Sequence, residues 1–258
     1  MAPLDPEGNA RRAARERAAL LLALASTGIA LAIFPLDRPL SDFASRHEPT
    51  DPWIDGLFRS IKSFGKADVL LVVLFAACLS RLRRPAVLGL VSLTLITVPV
   101  HLLKFLVGRE RPWHSGGSFP SGDTASVVAA LLPFALFAPR LAWPVALLAL
   151  LVATFRVVAS YHYPSDVFAG AAVGSLAVWA ALRLAPAGLL RLRSRLAWPL
   201  FLVAMAVSLG VALTSARNSP SSKFLLFVLP AVLIALALER RRLARANGGR
   251  APIKGVRS

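Results

Sequence analysis

Eight apolar runs separated by short charged segments leave this chain few folds to choose from. They extend from about Ala18 to Leu36, Lys66 to Ser80, Pro85 to Val107, Asp123 to Ala138, Leu141 to Ala159, Asp166 to Ala185, Leu196 to Thr214 and Lys223 to Leu238. A hydrocarbon core about 30 Å thick takes about 20 residues of helix, and somewhat fewer where the end residues snorkel. The pattern predicts an all-α, polytopic membrane helix bundle. The second and fourth runs are short enough to suit a buried or tilted helix as well as a span, which would reduce the spans to six or seven.

Composition agrees, with 56% hydrophobic residues, 17% charged and a mean hydropathy of +0.64. The formal net charge of +17 raises a second class, the nucleic-acid binders. Position separates the two, because the charges sit between apolar runs instead of forming one basic surface. Alternating eight spans from an inside N-terminus puts 19 of the 30 Lys and Arg inside, with only 4 of the 13 acids. Both termini are therefore expected on the cytoplasmic side, with no nucleic-acid partner and with anionic membrane lipids against the basic tail at 240–246. The stretch RRAARER before the first run resembles the start of a signal peptide, but the run is long and lacks a small-residue cleavage site, so it reads as a retained span. Cys78 is the single cysteine, which leaves no intrachain disulfide and none of the usual cysteine metal spacings.

Two features lie on the outer side. In WIDGLFRSIKSF, residues 53–64, the apolar residues Ile54, Leu57, Phe58, Ile61 and Phe64 recur at helical spacing. This predicts a helix lying either in the membrane interface or packed on the spans. The second feature is the loop 104–124, which carries Lys104, Arg109, Glu110, Arg111, His114, Ser118, Ser121 and Asp123. The same topology opens the connection holding Arg156, His162 and Asp166 onto that face.

Lys104 and Arg156 sit near the ends of apolar runs, where a cation either snorkels or faces water, protein or an anion. With Arg111 they make three cations on one outer face, a set suited to phosphate. The turn Pro120-Ser121-Gly122-Asp123 opens the next helix. Its free backbone N–H groups suit an anion, while Ser121 or Asp123 also suits a helix cap. His162 and Asp166 are four apart around Pro164, so the carboxylate can orient the imidazole and leave its other nitrogen as nucleophile or base.

These residues resemble the phosphatidic acid phosphatase type 2 superfamily, integral membrane lipid phosphatases that share a site with vanadium haloperoxidases. Its pattern is Lys-x6-Arg-Pro, Pro-Ser-Gly-His and Ser-Arg-x5-His-x3-Asp. Lys104 through Arg111-Pro112 matches the first part, and Arg156, His162 and Asp166 match the third, with Phe155 in place of Ser. The second reads Pro120-Ser121-Gly122-Asp123, with aspartate where the family has histidine. The resemblance implies a six-helix phosphatase core within residues 1–185, with active-site loops 104–124 and 156–166. Residues 186–258 are then two extra transmembrane helices and a basic cytoplasmic tail.

It further implies that His162 takes the phosphoryl group as a phosphohistidine, that Asp166 orients it, and that Lys104, Arg111, Arg156, Ser121 and Gly122 hold the phosphate. No metal and no cofactor are implied. Asp123 falls at the position of the general acid, with His114 as a second candidate. A lipid diphosphate would need that acid less, because phosphate leaves more readily than an alcohol. A phosphotransferase, or a silent binder or transporter of lipid phosphates, shares the anion site. With 25 Arg against 5 Lys, the composition points to a GC-rich bacterial genome and so to an inner membrane, with the site facing the periplasm or exterior.

Overall fold

The computed structural model describes residues 6–47 and 51–184. The last two apolar runs, 196–214 and 223–238, and the basic tail lie outside the described residues. The architecture is all-α: α1 Pro6–Ile33, α2 Asp37–Arg46, α3 Pro52–Ser63, α4 Ala67–Cys78, α5 Arg83–Leu95, α6 Thr97–Val107, α7 Gly122–Phe137, α8 Ala142–Val158 and α9 Pro164–Leu184. Among the described residues, four helical segments, Glu7–Arg46, Arg83–Val107, Pro139–Val158 and Pro164–Leu184, are long and apolar enough to cross a bilayer, as an integral membrane protein requires. α4 and α7, at 12 and 16 residues, fall short of the roughly 20 that a simple span needs.

The helices depart from the apolar runs where other chemistry takes over. α1 begins at Pro6, well before the apolar residues, because Glu7–Arg11 at 3.2 Å and Arg12–Glu16 at 3.1 Å form ion pairs one turn apart. The run 85–107 divides at Ile96 into α5 and α6. Pro99 has no N–H to return to the Leu95 carbonyl, which removes the bond that would carry the helix through. α2 was not signalled by periodicity. α3 has the predicted helical span and is capped by the Asp51 carboxylate, which accepts from Trp53 N at 2.8 Å and Ile54 N at 3.2 Å. It packs against α8, with Ile61 and the following Phe64 on the core, while Trp53 and Ile54 stay exposed. The packed alternative therefore describes its C-terminal half.

α7 is the centre of the bundle, flanked by α4, α5, α8 and α9, and α1 lies along α9. The α7–α9 approach depends on Gly170 and Gly174, a Gly-x3-Gly pair on one face of α9. A Cβ at Gly174 would lie 2.7 Å from the Ala125 carbonyl oxygen and 2.9 Å from Val128, and one at Gly170 would collide with the Ser121 carbonyl oxygen. Gly170→Val is expected to lower stability by about 1–3 kcal/mol through overpacking. Thermal unfolding in detergent checks this, together with a loss of activity, because Ser121 is pushed with the helix end.

Charged residues of α1 close the opposite end. Arg12 donates to the Leu182 and Arg183 carbonyls at 2.6 and 3.2 Å, and Arg15 donates to Leu136 O at 3.2 Å with its guanidinium over Phe137. These are the terminal carbonyls of α9 and α7, which have no partner within their own helices. The C-terminal ends of α1, α6 and α8 and the N-terminal ends of α7 and α9 meet at the other end. That end holds the polar loops.

Candidate active site

The loop between α6 and α7 is built to return. Gly108 takes the left-handed conformation at φ 58° and ends α6, its N–H donating to Lys104 O at 3.1 Å. Ser118 N then donates to Arg109 O at 2.7 Å, and Glu110 and Gly117 form an isolated antiparallel bridge. The Lys104 ammonium reaches over this fold and donates to the carbonyls of Gly117 at 2.9 Å, Ser118 at 3.4 Å and Pro120 at 3.0 Å. Arg111 Nε contacts Gly117 O at 3.4 Å, within electrostatic reach of both Lys104 and Arg156. Two of the predicted cations thus shape the loop and converge with the third.

The second loop follows α8. Ser160 at φ 55° reverses the chain, and the N–H groups of Tyr161 and His162 both donate to Arg156 O at 3.1 Å. This reversal brings His162 back beside Arg156. Pro164 then starts α9, and its first turn supplies Asp166.

His162 is 3% exposed and Asp166 is fully buried. Nδ1 of His162 lies 3.7 Å from Asp166 Oδ2, with the Ser118 hydroxyl at 3.5 Å from the same nitrogen. Ser118 donates its proton to Asp166 Oδ2, and Tyr163 N donates to that oxygen at 2.9 Å. Nδ1 faces the carboxylate, which leaves Nε2 for a substrate. Burial pulls the imidazole below its ordinary value of 6.5, Asp166 pulls it upward, and Lys104 and Arg156 push it down again. The lowered value keeps the ring neutral, and therefore nucleophilic, at neutral pH.

The turn 120–123 is tied to the same centre. Ser121 N donates to Asp166 O at 2.9 Å, while the Ser121 hydroxyl accepts from Thr124 N at 3.4 Å and caps α7. Both polar groups of Ser121 are committed within the protein, as the capping alternative expected. The amides of Gly122 and Asp123 remain as the donors of that turn. Arg156 is buried and ion-paired with Asp123, and its Nε has no hydrogen-bond partner. A buried guanidinium nitrogen without an acceptor suits an incoming anion. His114 stacks on Tyr161 with ring centroids 3.9 Å apart, and Tyr161 in turn neighbours Arg111 and Arg156. Among the described residues no group of three or more His, Cys, Asp or Glu side chains is arranged to hold a metal ion.

Several further residues belong to this centre. Arg109 bridges Asp166 Oδ1 at 3.1 Å and Asp37 Oδ2 at 2.8 Å. Gly65 lies so close to Asp123 that a Cβ there would approach its Cβ to 2.8 Å, and the adjacent Lys66 feels the charge of Arg156. Arg109 and Ser118 were visible as polar loop residues, whereas Asp37 and Lys66 come from distant segments with no spacing to mark them.

Residues 85–188 match the PAP2 superfamily. Two curated relatives, the lipid A 1-phosphatases of Rhizobium johnstonii and Rhizobium etli, are each 37% identical over 117 residues, covering 39% of this chain and 48% and 50% of theirs. The chain thus spans about half the length of the curated relatives it matches. Among solved structures, a transmembrane PAP2 type phosphatidylglycerolphosphate phosphatase from Bacillus subtilis is similar with a TM-score of 0.51 at 22% identity, covering 65% of this chain and 94% of that one. Aquifex aeolicus LpxE is similar with a TM-score of 0.50 at 24% identity, covering 57% of this chain and 95% of that one. At these identities the structural likeness concerns the fold.

Proposed function

We propose that this chain, which belongs to the PAP2 superfamily, is a lipid phosphatase whose nucleophile is His162. The observation that carries the reading is the buried His162–Asp166 pair set against Lys104, Arg111 and Arg156 at one end of the bundle. Nε2 attacks phosphorus, the bond from phosphorus to the leaving oxygen breaks, and a phosphohistidine forms while Asp166 stabilises the charge on the ring. Lys104, Arg111, Arg156 and the amides of Gly122 and Asp123 hold the phosphoryl oxygens as their charge grows. Water then attacks phosphorus, the phosphorus–Nε2 bond breaks with its electron pair returning to the imidazole, and dihydrogen phosphate leaves carrying both protons of the water. The site lies at the end where the apolar helices terminate, which suits a headgroup whose tail stays in the bilayer. We place this end at the periplasmic or outer face of a bacterial inner membrane.

Asp123 is the general acid in this scheme, and to donate a proton it must first leave Arg156. A leaving group that needs little protonation therefore suits the site, as when a lipid diphosphate loses its terminal phosphate. Lipid A also belongs in the first panel of substrates, because the curated relatives are lipid A 1-phosphatases.

The test is inorganic phosphate release by the purified protein in detergent with chelator, over lipid A, phosphatidic acid and a polyprenyl diphosphate. Asp123→Asn is expected to slow monophosphate hydrolysis by about 10²-fold and diphosphate hydrolysis by less than about 10-fold. Equal or faster turnover of phosphatidic acid by the wild type would overturn the diphosphate preference. Binding without release from any substrate would make the protein a silent lipid phosphate binder. Label passed to an added hydroxyl acceptor in place of water would make it a transferase.

A further inference from the structure

Behind Asp166 lies a second buried carboxylate that the reaction scheme does not use. Asp37, 1% exposed, begins α2 and reaches α9 from a segment 128 residues away. Its Oδ1 accepts from Ser165 N at 2.8 Å, and its Oδ2 accepts from the Ser165 hydroxyl and from Arg109 at 2.8 Å. The Arg109 guanidinium spans the gap, donating also to the Ser165 hydroxyl at 2.9 Å and to Asp166 Oδ1 at 3.1 Å. The plane of the guanidinium is held by the Tyr163 ring, whose centroid lies 3.9 Å from its central carbon, and by Phe34 at 4.9 Å.

A helix cap would explain a bond from Asp37 to the first turn of α9, but it does not explain the arginine. A planar fork shared between two buried carboxylates fixes the direction of both. Each carboxylate would be costly to bury without that cation. Asp166 keeps one oxygen on Arg109 and turns the other toward Ser118, Tyr163 N and His162.

We propose that Asp37 and Arg109 are positioning residues that hold Asp166 toward His162 and set how much negative charge the imidazole experiences. The proposal rests on the reading of His162 as the reactive group. Asp37 orients Arg109, and Arg109 in turn offsets the Asp166 charge. The other charged groups facing His162 are Lys104 from α6 and Arg156 from α8, with Arg111 of the loop, Asp123 of α7 and Lys66 just before α4 around Arg156. None of these is altered in the test.

Opposite charges give opposite expectations. Arg109→Gln removes a cation from beside Asp166, so the protonated imidazole is better tolerated and its titration moves up by roughly 0.5–1 pH unit. Asp37→Asn removes an anion and moves it down by a similar amount. The double variant returns toward the wild type. A purely structural clamp would lower stability in both variants without this reversal of sign.

The readout that needs no turnover is nuclear magnetic resonance titration of histidine-labelled protein in detergent, with the His162 signal assigned by its absence from His162→Ala. The acid limb of kcat/KM for phosphate release is expected to move with it. Arg109→Lys should leave the titration in place and lower kcat, with KM changing less. Both single variants shifting the titration in one direction, or neither shifting it, would overturn the proposal. Either variant alone still has a signed expectation if the other fails to fold. If the wild type releases no phosphate, the phosphatase reading fails, while the imidazole titration still decides the role of Asp37 and Arg109.

Discussion

Replacing His162 with alanine is expected to lower phosphate release by at least about 10³-fold, because no other group stands where Nε2 meets the phosphorus. The buried ring is bounded by Asp166, Ser118 and the reversal at Ser160, none of which offers a nucleophile of comparable strength at neutral pH. A phosphorylated intermediate gives a second measurement. Rapid quenching of the wild type with labelled substrate should trap an acid-labile, base-stable phosphoenzyme that the variant lacks. Substantial turnover by His162→Ala would remove the nucleophile from the mechanism and leave general-base activation of water at another residue. Retained binding of a lipid phosphate by the variant separates lost chemistry from lost folding.

The second large effect belongs to Asp166→Asn. An amide there still accepts from a neighbour but presents the wrong charge to the imidazole, and a loss of about 10²–10⁴ in kcat is expected. The pH profile carries a sign. The reactive form of His162 is neutral, so activity is lost as pH falls and the ring takes a proton. Because burial holds the imidazole below 6.5, the acid limb of kcat/KM in the wild type should lie below 6.5. Asp166 is the interaction that pulls the ring upward, so Asp166→Asn should move the remaining acid limb lower still. A limb above 6.5, or one that Asp166→Asn leaves unmoved, would show that a different group limits the rate on the acid side.

Local signals explain much of what was legible. Hydrophobic length located α1, α5 with α6, α8 and α9, because the bilayer requirement acts on each segment by itself. The helical spacing of 53–64 gave α3. Motif spacing located Lys104, Arg111, the 120–123 turn, Arg156, His162 and Asp166, which the fold gathers at one end. The start of α1 before its apolar run and the division at Ile96 have a common reason. Hydropathy records which residues prefer lipid, whereas ion pairs one turn apart extend a helix and a proline interrupts one.

Ser121 and Asp123 show where local reading stops. Either an anion cradle or a helix cap fits the residues Pro-Ser-Gly-Asp, and the outcome depends on what α9 places beside them. Gly170 lets Ser121 approach until its N–H meets the Asp166 carbonyl, which commits that amide to the protein. Asp123 meets Arg156 of α8, a residue 33 positions away that no period connects to it.

By itself the sequence determined the solvent of the fold, its helical class and the residues with chemistry to offer, because these follow from side-chain type and spacing within a segment. Only the tertiary structure decided which carboxylate lies behind which. The pairing of Asp37 with Arg109, and of Arg109 with Asp166, joins α2, a loop and α9. Its energetics come from burial, and burial exists only after the segments have packed.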